Sequence, residues 1–259
     1  MLNKYINLEK FLKSKEKQGI CLAFSGGIDS TLLLYMCKNM NITAVTFDSD
    51  FQSRDEILQT KELCCHFGVK QKIISIKTLK NPLLVNNPKD RCYHCKKLLF
   101  SELKKYAKEN NLKYLIDGTN FDDLSVYRPG LQALKEMEIS SPLAEFGITK
   151  SEIREYAKQI GIPNYEKPSM PCLATRFPYG TKLEANKISI AENGEKILKS
   201  LGFENNRFRI HGDIIRIEIP QDKFTLLLDK KNLLLHEVKK LGIKYITLDL
   251  EGLRSGSMD

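Results

Sequence analysis

Through the first two-thirds of the chain, short apolar runs alternate with longer stretches whose apolar positions recur at helical spacing. The runs at 20–24, 42–47, 70–76, 114–116 and 139–141 predict β-strands, with helices between them. Strands of this kind separated by helices imply a parallel sheet covered on both faces, an α/β architecture. In such sheets ligands bind beyond the carboxyl ends of the strands, so the loops there are where chemistry is expected. The segment from Thr149 to Glu152 has the form of a helix cap and predicts a helix running to about Gln159. Residues 162–180 then carry four prolines, which forbid a continuous helix and predict a long functional loop. Beyond 183 the order changes to a helix at 184–201, strands near 207–210 and 214–219, a helix near 229–241 and a strand at 245–250. The predicted division is an α/β domain over 1–180 and a small α+β domain over 181–259.

Composition narrows the class. The chain has 259 residues, 42% hydrophobic and 28% charged, as soluble globular proteins do. No apolar stretch reaches the roughly 18 residues needed to span a bilayer, and the first ten residues lack a signal-peptide core, so no membrane association and a cytoplasmic address are expected. The net charge of +9 raises the question of nucleic acid. Its lysines, however, are scattered along helical segments, with no basic tract interleaved with aromatics, so a small anionic substrate is the expected partner and nucleic acid is not. Seven cysteines in such a chain argue against a disulfide framework. Cys21 and Cys37 sit in apolar patterns and Cys64-Cys65 are helix neighbours pointing apart, so these four read as structural.

The sharpest local signal is Ser25-Gly26-Gly27-Ile28-Asp29-Ser30, between the run at 20–24 and the helical segment Thr31-Leu32-Leu33-Leu34. Glycines let backbone N–H groups approach an anion, the helix turns its positive end to the same point, and Ser25 and Ser30 add hydroxyls. The turn is a phosphate cradle, but its spacing is neither that of a Walker A loop nor that of dinucleotide-binding folds. It resembles the loop of the PP-loop ATP pyrophosphatase superfamily, whose members bind the pyrophosphate of ATP there and transfer AMP to a substrate oxygen.

Three cysteines remain. Cys92 and Cys95 form a Cys-x-x-Cys pair at the expected start of a helix, where thiolates are favoured, and Cys172 lies in the proline-rich loop. Three thiolates suit a [4Fe–4S] cluster with one iron open to an external ligand. Zinc, a redox disulfide at Cys92 and Cys95, and a purely structural pair are the alternatives.

The strings SGGIDS, RCYHCK, DGTNFDD, YRPG and PCLATRFPYG, with the closing stretch from Leu248 to Ser257, together resemble the LarE family over nearly the whole chain. These are ATP-dependent sulfur transferases that build the nickel-pincer cofactor of lactate racemase. The resemblance implies adenylation of a carboxylate of pyridinium-3,5-biscarboxylic acid mononucleotide, then replacement of an oxygen by sulfur. It implies ATP on Ser25, Gly26, Gly27, Asp29 and Ser30, with Asp29 and Ser30 catalytic and Asp29 reaching Mg²⁺ or a backbone donor. Adenosine would lie at the strand ends around Thr46 and Gly118-Thr119. One form of the family draws sulfur from a lone cysteine matching Cys172, leaving dehydroalanine. In the other, three cysteines hold a [4Fe–4S] cluster whose open iron carries a hydrosulfide; Cys92 and Cys95 beside Cys172 favour that form, reloaded by a sulfide donor.

A substrate bearing phosphate and carboxylates needs cations. Arg207 and Arg209, two apart on a predicted strand, face one side as a clamp requires, and Arg176 and Arg254 join them as candidates. The resemblance also implies a homo-oligomer. It departs at Arg207-Phe208-Arg209-Ile210-His211-Gly212, where the family has a second histidine, and His211 receives no role. The competing functions are tRNA thiolation, ATP-driven amidation and a non-catalytic metal scaffold. The last leaves the phosphate cradle unexplained.

Overall fold

The computed structural model describes residues 2–125, 129–168 and 170–254. By its contacts the chain divides into two compact units, residues 1–77 with 90–170, and residues 78–89 with 171–259. The second unit thus takes in an early segment, 78–89, as well as the C-terminal third. Tyr127 and Arg128 of the YRPG string, Ser169, and the closing Ser255-Gly256-Ser257 lie outside the described residues.

The first unit begins with α1 (Leu2–Lys15) and is built on the strands β1 (Ile20–Ala23), β2 (Ile42–Ser49), β3 (Lys70–Ile76) and β4 (Tyr114–Ile116). They form one parallel sheet in the order β3-β2-β1-β4. Between them run α2 (Ile28–Cys37), α3 (Arg54–Phe67) and α4 (Arg91–Glu109), and after β4 come α5 (Pro129–Glu136), α6 (Pro142–Glu145) and α7 (Lys150–Gln159). The alternation of side chains along a strand sorts the core into two layers. Ile20 and Leu22 of β1 pack with Tyr5, Leu8 and Leu12 of α1, the apolar face of α2, and Ile153 and Ala157 of α7. Cys21 and Val45 face the other way, against Phe100, Leu103 and Ala107 of α4 and Leu134 of α5. Each fully buried side chain of this size contributes about 1.5–3 kcal/mol relative to exposure.

Local signals explain several boundaries. Gly68 closes α3 in the left-handed region at φ 66°, its N–H reaching the carbonyls of Cys64 and Cys65. Thr149 and Glu152 cap α7 reciprocally, as the sequence predicts. The fifth predicted strand, at 139–141, is reduced to a single parallel bridge between Ile116 and Ser140. Ser141 is already the N-cap of α6, with a proline at its start, and this turns the chain out of the sheet.

In the second unit, α8 (Ala185–Ser200) precedes the hairpin of β5 (Arg207–His211) and β6 (Ile214–Glu218), with β7 (Tyr245–Leu248) parallel to β6 in the order β5-β6-β7. The ring of Phe208 fills the space over Gly194 of α8; a Cβ there would lie 2.4 Å from it. The helix predicted near 229–241 is α10 (Lys231–Lys239), and a short α9 (Phe224–Asp229) that the sequence did not predict precedes it. The Lys230 ammonium, at the junction of the two, is hydrogen-bonded to the carbonyl of Leu201 at 2.8 Å.

Candidate functional site

In the first unit a cleft of about 330 Å³ opens at the carboxyl ends of β1, β2 and β4. Ser25, Asp29 and Ser30 form one wall and Asp117, Gly118 and Thr119 another. Gly26 takes φ 74°, and Gly27 is the N-cap residue of α2. A tight turn therefore delivers the chain from β1 into the helix with the helix N-terminus at the cleft, an arrangement that favours anionic oxygen. Ser30 Oγ donates to the Gly27 carbonyl at 3.0 Å and lies 3.3 Å from Ser25 Oγ, so the two hydroxyls are held as a pair.

Gly118 is demanded by close approach. A Cβ on it would sit 2.9 Å from Ser30 N and 3.1 Å from its Cα. The loop after β4 therefore presses directly on the first turn of α2, and the two walls are set against each other by backbone contact.

Two lysines absent from the sequence-based expectations enter the site. Lys150 Nζ, at the start of α7, lies 2.5 Å from Asp29 Oδ2, and Asn120 Nδ2 reaches Asp29 Oδ1 at 3.4 Å. Lys96, on the first turns of α4, lines the cleft with its ammonium 3.4 Å from Asp117 Oδ2. Asp117 is itself held by Thr119 Oγ1 and Ser141 Oγ, each at 2.7 Å. Positive charge is thus placed beside both carboxylates, and the cleft offers cations as well as backbone dipoles to a polyphosphate. Asp29 thus meets a lysine and an asparagine amide on its two oxygens. Neither lysine stands out in the sequence, since each lies inside a segment read for other reasons, Lys96 in RCYHCK and Lys150 in the helix cap.

Thr46 is buried, its hydroxyl donating to the Phe24 carbonyl at 2.9 Å and receiving the Gln71 amide. Strand alternation turns its neighbour Phe47 into the cleft, with Leu99 and Phe100 from α4 alongside. These apolar surfaces offer a face for a flat base. Gly118 and Thr119 line the cleft as the sequence predicts.

Cys92 is exposed and Cys95 partly so, both on the first turn of α4. Residues three apart share a helix face, which suits joint ligation. By contrast, burial pushes the thiols of Cys21, Cys37 and Cys64 up to about 12. Among the described residues, no three side chains of His, Cys, Asp or Glu are gathered as a metal site.

In the second unit the exposed Cys172 is the N-cap residue of a 3-10 turn, Leu173–Arg176. The predicted cations surround that turn. Arg176 is 1% exposed and grips Glu195 through Nε at 2.6 Å and Nη2 at 3.1 Å. Its remaining amine reaches the Pro171 carbonyl and the Thr175 hydroxyl. Arg209 is buried against Glu218 at 2.7 Å and donates to the Thr175 carbonyl at 2.6 Å. Arg207, partly exposed, is lowered to about 10 by burial and by the neighbouring Arg176 and Arg209 charges. Arg254 is exposed and meets Asp249 and Glu251. Burial first, then Arg216 and Arg209, holds the His211 imidazole below its ordinary range. The structure thus brings Arg176, Arg207 and Arg209 together around two buried glutamates, with the first and last also bonded to the Cys172 turn. No sequence motif marked Glu195 or Glu218.

Comparison with known proteins follows the same lines. The family model of queuosine biosynthesis protein QueC matches residues 19–87. The chain is 36% identical to pyridinium-3,5-bisthiocarboxylic acid mononucleotide synthase of Lactiplantibacillus plantarum, over 95% of this chain and 90% of that protein. It is 35% identical to an uncharacterised protein of Synechocystis, over 99% of this chain and 97% of that one. A more distant relative is a glutamine-hydrolysing GMP synthase chain of Archaeoglobus fulgidus, 26% identical over 74% of this chain and 68% of that one. Among the described residues, no helix is long and apolar enough to cross a membrane.

Proposed function

From its membership of the pyridinium-3,5-bisthiocarboxylic acid mononucleotide synthase family, as an ATP-dependent enzyme of the PP-loop class, we propose that this chain converts a carboxylate of the dicarboxylate mononucleotide to a thiocarboxylate. The observation that carries the reading is likeness to the Lactiplantibacillus enzyme along almost the full length of both chains. The reaction needs activation first, because oxide is a poor leaving group and AMP a good one. ATP would lie with its phosphates on Ser25, Gly26, Gly27 and Ser30, and with its base against Phe47 and Phe100. A substrate carboxylate oxygen attacks the α-phosphorus and pyrophosphate leaves, its charge met by the α2 N-terminus, Lys96 and Lys150. Asp29 and Asp123, both lining the cleft, supply the carboxylate oxygens that Mg²⁺ prefers; the ion would neutralise phosphate charge there. A sulfur nucleophile then attacks the acyl carbon, and AMP departs with the original oxygen.

The donor set of Cys92, Cys95 and Cys172 supports a [4Fe–4S] cluster, which would offer one iron to an external sulfide. Arg207 is the cation we assign to the substrate phosphate, and Arg254 the one that assists it. Arg176 and Arg209 act through the turn they hold. The protein would work as a homo-oligomer, served by a sulfide donor.

Incubation of anaerobically purified protein with ATP, sulfide and the dicarboxylate mononucleotide tests the reading. AMP and thiocarboxylate should form together, and AMP release that ignores the mononucleotide would refute it. Iron and sulfide analysis, with mass spectrometry of the spent protein, separates the sulfur sources. Iron-free protein whose Cys172 becomes about 34 Da lighter after turnover would replace the cluster with sacrifice of that cysteine.

A further inference from the structure

We propose that Asn87 is a positioning residue for Cys172, its buried side-chain amide fixing the turn that presents the thiol. The inference rests on the reading of Cys172 as a cysteine of the sulfur-transfer site. Asn87 is fully buried and sits in the left-handed region at φ 50°, a conformation that asparagine tolerates better than most residues. Its Nδ2 donates toward three carbonyls of one stretch, Ala174 at 3.4 Å, Phe177 at 3.1 Å and Pro178 at 2.9 Å. Its own carbonyl accepts the N–H of Gly180 at 3.0 Å, and two residues earlier the Val85 carbonyl accepts the N–H of Leu183 at 2.7 Å.

The rest of the stretch is held as tightly. Pro171 O receives Arg176, Cys172 O receives the N–H and hydroxyl of Thr175, and Thr175 O receives Arg209. The carbonyls of Pro171, Cys172, Ala174, Thr175, Phe177 and Pro178 therefore all have donors, three of them from one asparagine. Backbone pinned in this way beside an exposed side chain is what a reactive group needs to keep one position, because loss of about 1 Å of placement costs on the order of 10²-fold in rate. A residue that served packing alone would place apolar surface here, not an amide aimed at three carbonyls.

Asn87→Gly keeps the left-handed backbone and removes only the amide; Asn87→Asp keeps the size but turns carboxylate oxygen toward the three carbonyls. The test reads alkylation of the native, metal-free protein by iodoacetamide, residue by residue, with exposed Cys65 as the internal reference. Both variants should raise the Cys172 rate at least threefold relative to Cys65. Thiocarboxylate formation should lose about 10- to 100-fold in kcat, while the KM for ATP in the adenylation half-reaction stays within twofold. An unchanged Cys172-to-Cys65 ratio in a cooperatively melting variant overturns the proposal. Should both variants fail to fold, hydrogen exchange of the wild-type amides at Thr175, Gly180 and Thr181 decides, since rapid exchange there overturns it too. Alkylation needs no substrate, so a wild-type protein inactive toward the mononucleotide refutes the functional reading, whereas the ratio alone decides the role of Asn87.

Discussion

Glu195→Gln asks whether Arg176 is a strut or a substrate ligand, and the geometry sets the size of the answer. Arg176 is 1% exposed and its fork spans both oxygens of Glu195, with Arg207 and Arg209 nearby. The amide removes the compensating charge and leaves a guanidinium buried among like charges, a change that costs about 3–5 kcal/mol. Glu195 Oε1 also receives the N–H of Phe208 at 3.3 Å, so the loss spreads to the first turn of β5. For a chain of this length 1 kcal/mol moves Tm by about 2–4 °C, so the expected drop is roughly 6–20 °C. Replacing the pair together, Arg176→Met with Glu195→Leu, removes both charges and forfeits only the hydrogen bonds to Pro171 O, Thr175 Oγ1 and the Phe208 N–H. At about 1 kcal/mol each these leave the double variant nearer to wild type than Glu195→Gln, by up to about 2 kcal/mol. Urea melts followed by far-ultraviolet circular dichroism supply the cycle. A Glu195→Gln protein within about 1 kcal/mol of wild type, or a double variant as weak as the sum of the singles, would refute the strut argument.

Gly118→Ala should drive the β4 loop off Ser30, raising the KM for ATP at least tenfold while costing about 1–3 kcal/mol of stability; unaltered ATP binding would show that the two walls need not touch. Lys150→Met should leave Asp29 without its ammonium partner and slow mononucleotide-dependent AMP release, a loss that Lys150→Arg partly restores. Brief iodoacetamide treatment at neutral pH should modify Cys65 and Cys172 and spare Cys21, Cys37 and Cys64, whose burial keeps them protonated; peptide mapping decides. Hydrogen bonds from Lys97, then Tyr93 and Gln132, draw the Glu136 carboxyl down to about 2. Because its folded pKa is depressed, its stabilisation is complete above the ordinary carboxylate value and disappears as pH falls through about 2. Glu136→Gln should therefore melt below wild type at pH 6, and the gap should close near pH 2.

The central strands were legible because β1 to β4 are apolar runs bounded by polar turns, and the phosphate turn because glycine and serine at that junction have few other uses. The stretch at 139–141 misled for a physical reason: its apolar start resembles a strand, but a serine cap and proline bend it away after one bridge. The helix near 229–241 was legible as α10, whereas the six-residue α9 before it is too short to show a helical period. Lys96 and Lys150 were hidden among the many lysines of this chain, since only folding tells a lysine beside a buried carboxylate from one in solvent. Arg176 and Arg209 were visible as cations, but their partners Glu195 and Glu218 lie 19 and nine positions away along the chain, and no pattern links them. Asn87 belongs with these: an asparagine before a proline suggests a loop, and nothing local reveals three carbonyls waiting 87 to 91 residues downstream.

The detour of residues 78–89 into the second unit also has a consequence in time. During synthesis this segment leaves the ribosome before the roughly eighty residues that complete the sheet unit, and those take about 4–16 s to follow at the usual pace. For that interval the three carbonyls that will receive the Asn87 amide have yet to emerge, so a nascent chain must keep a solvated bight open while the sheet closes around its ends. Anything that captures the bight early, such as a chaperone or a second nascent chain, would leave a finished sheet beside an unfinished partner.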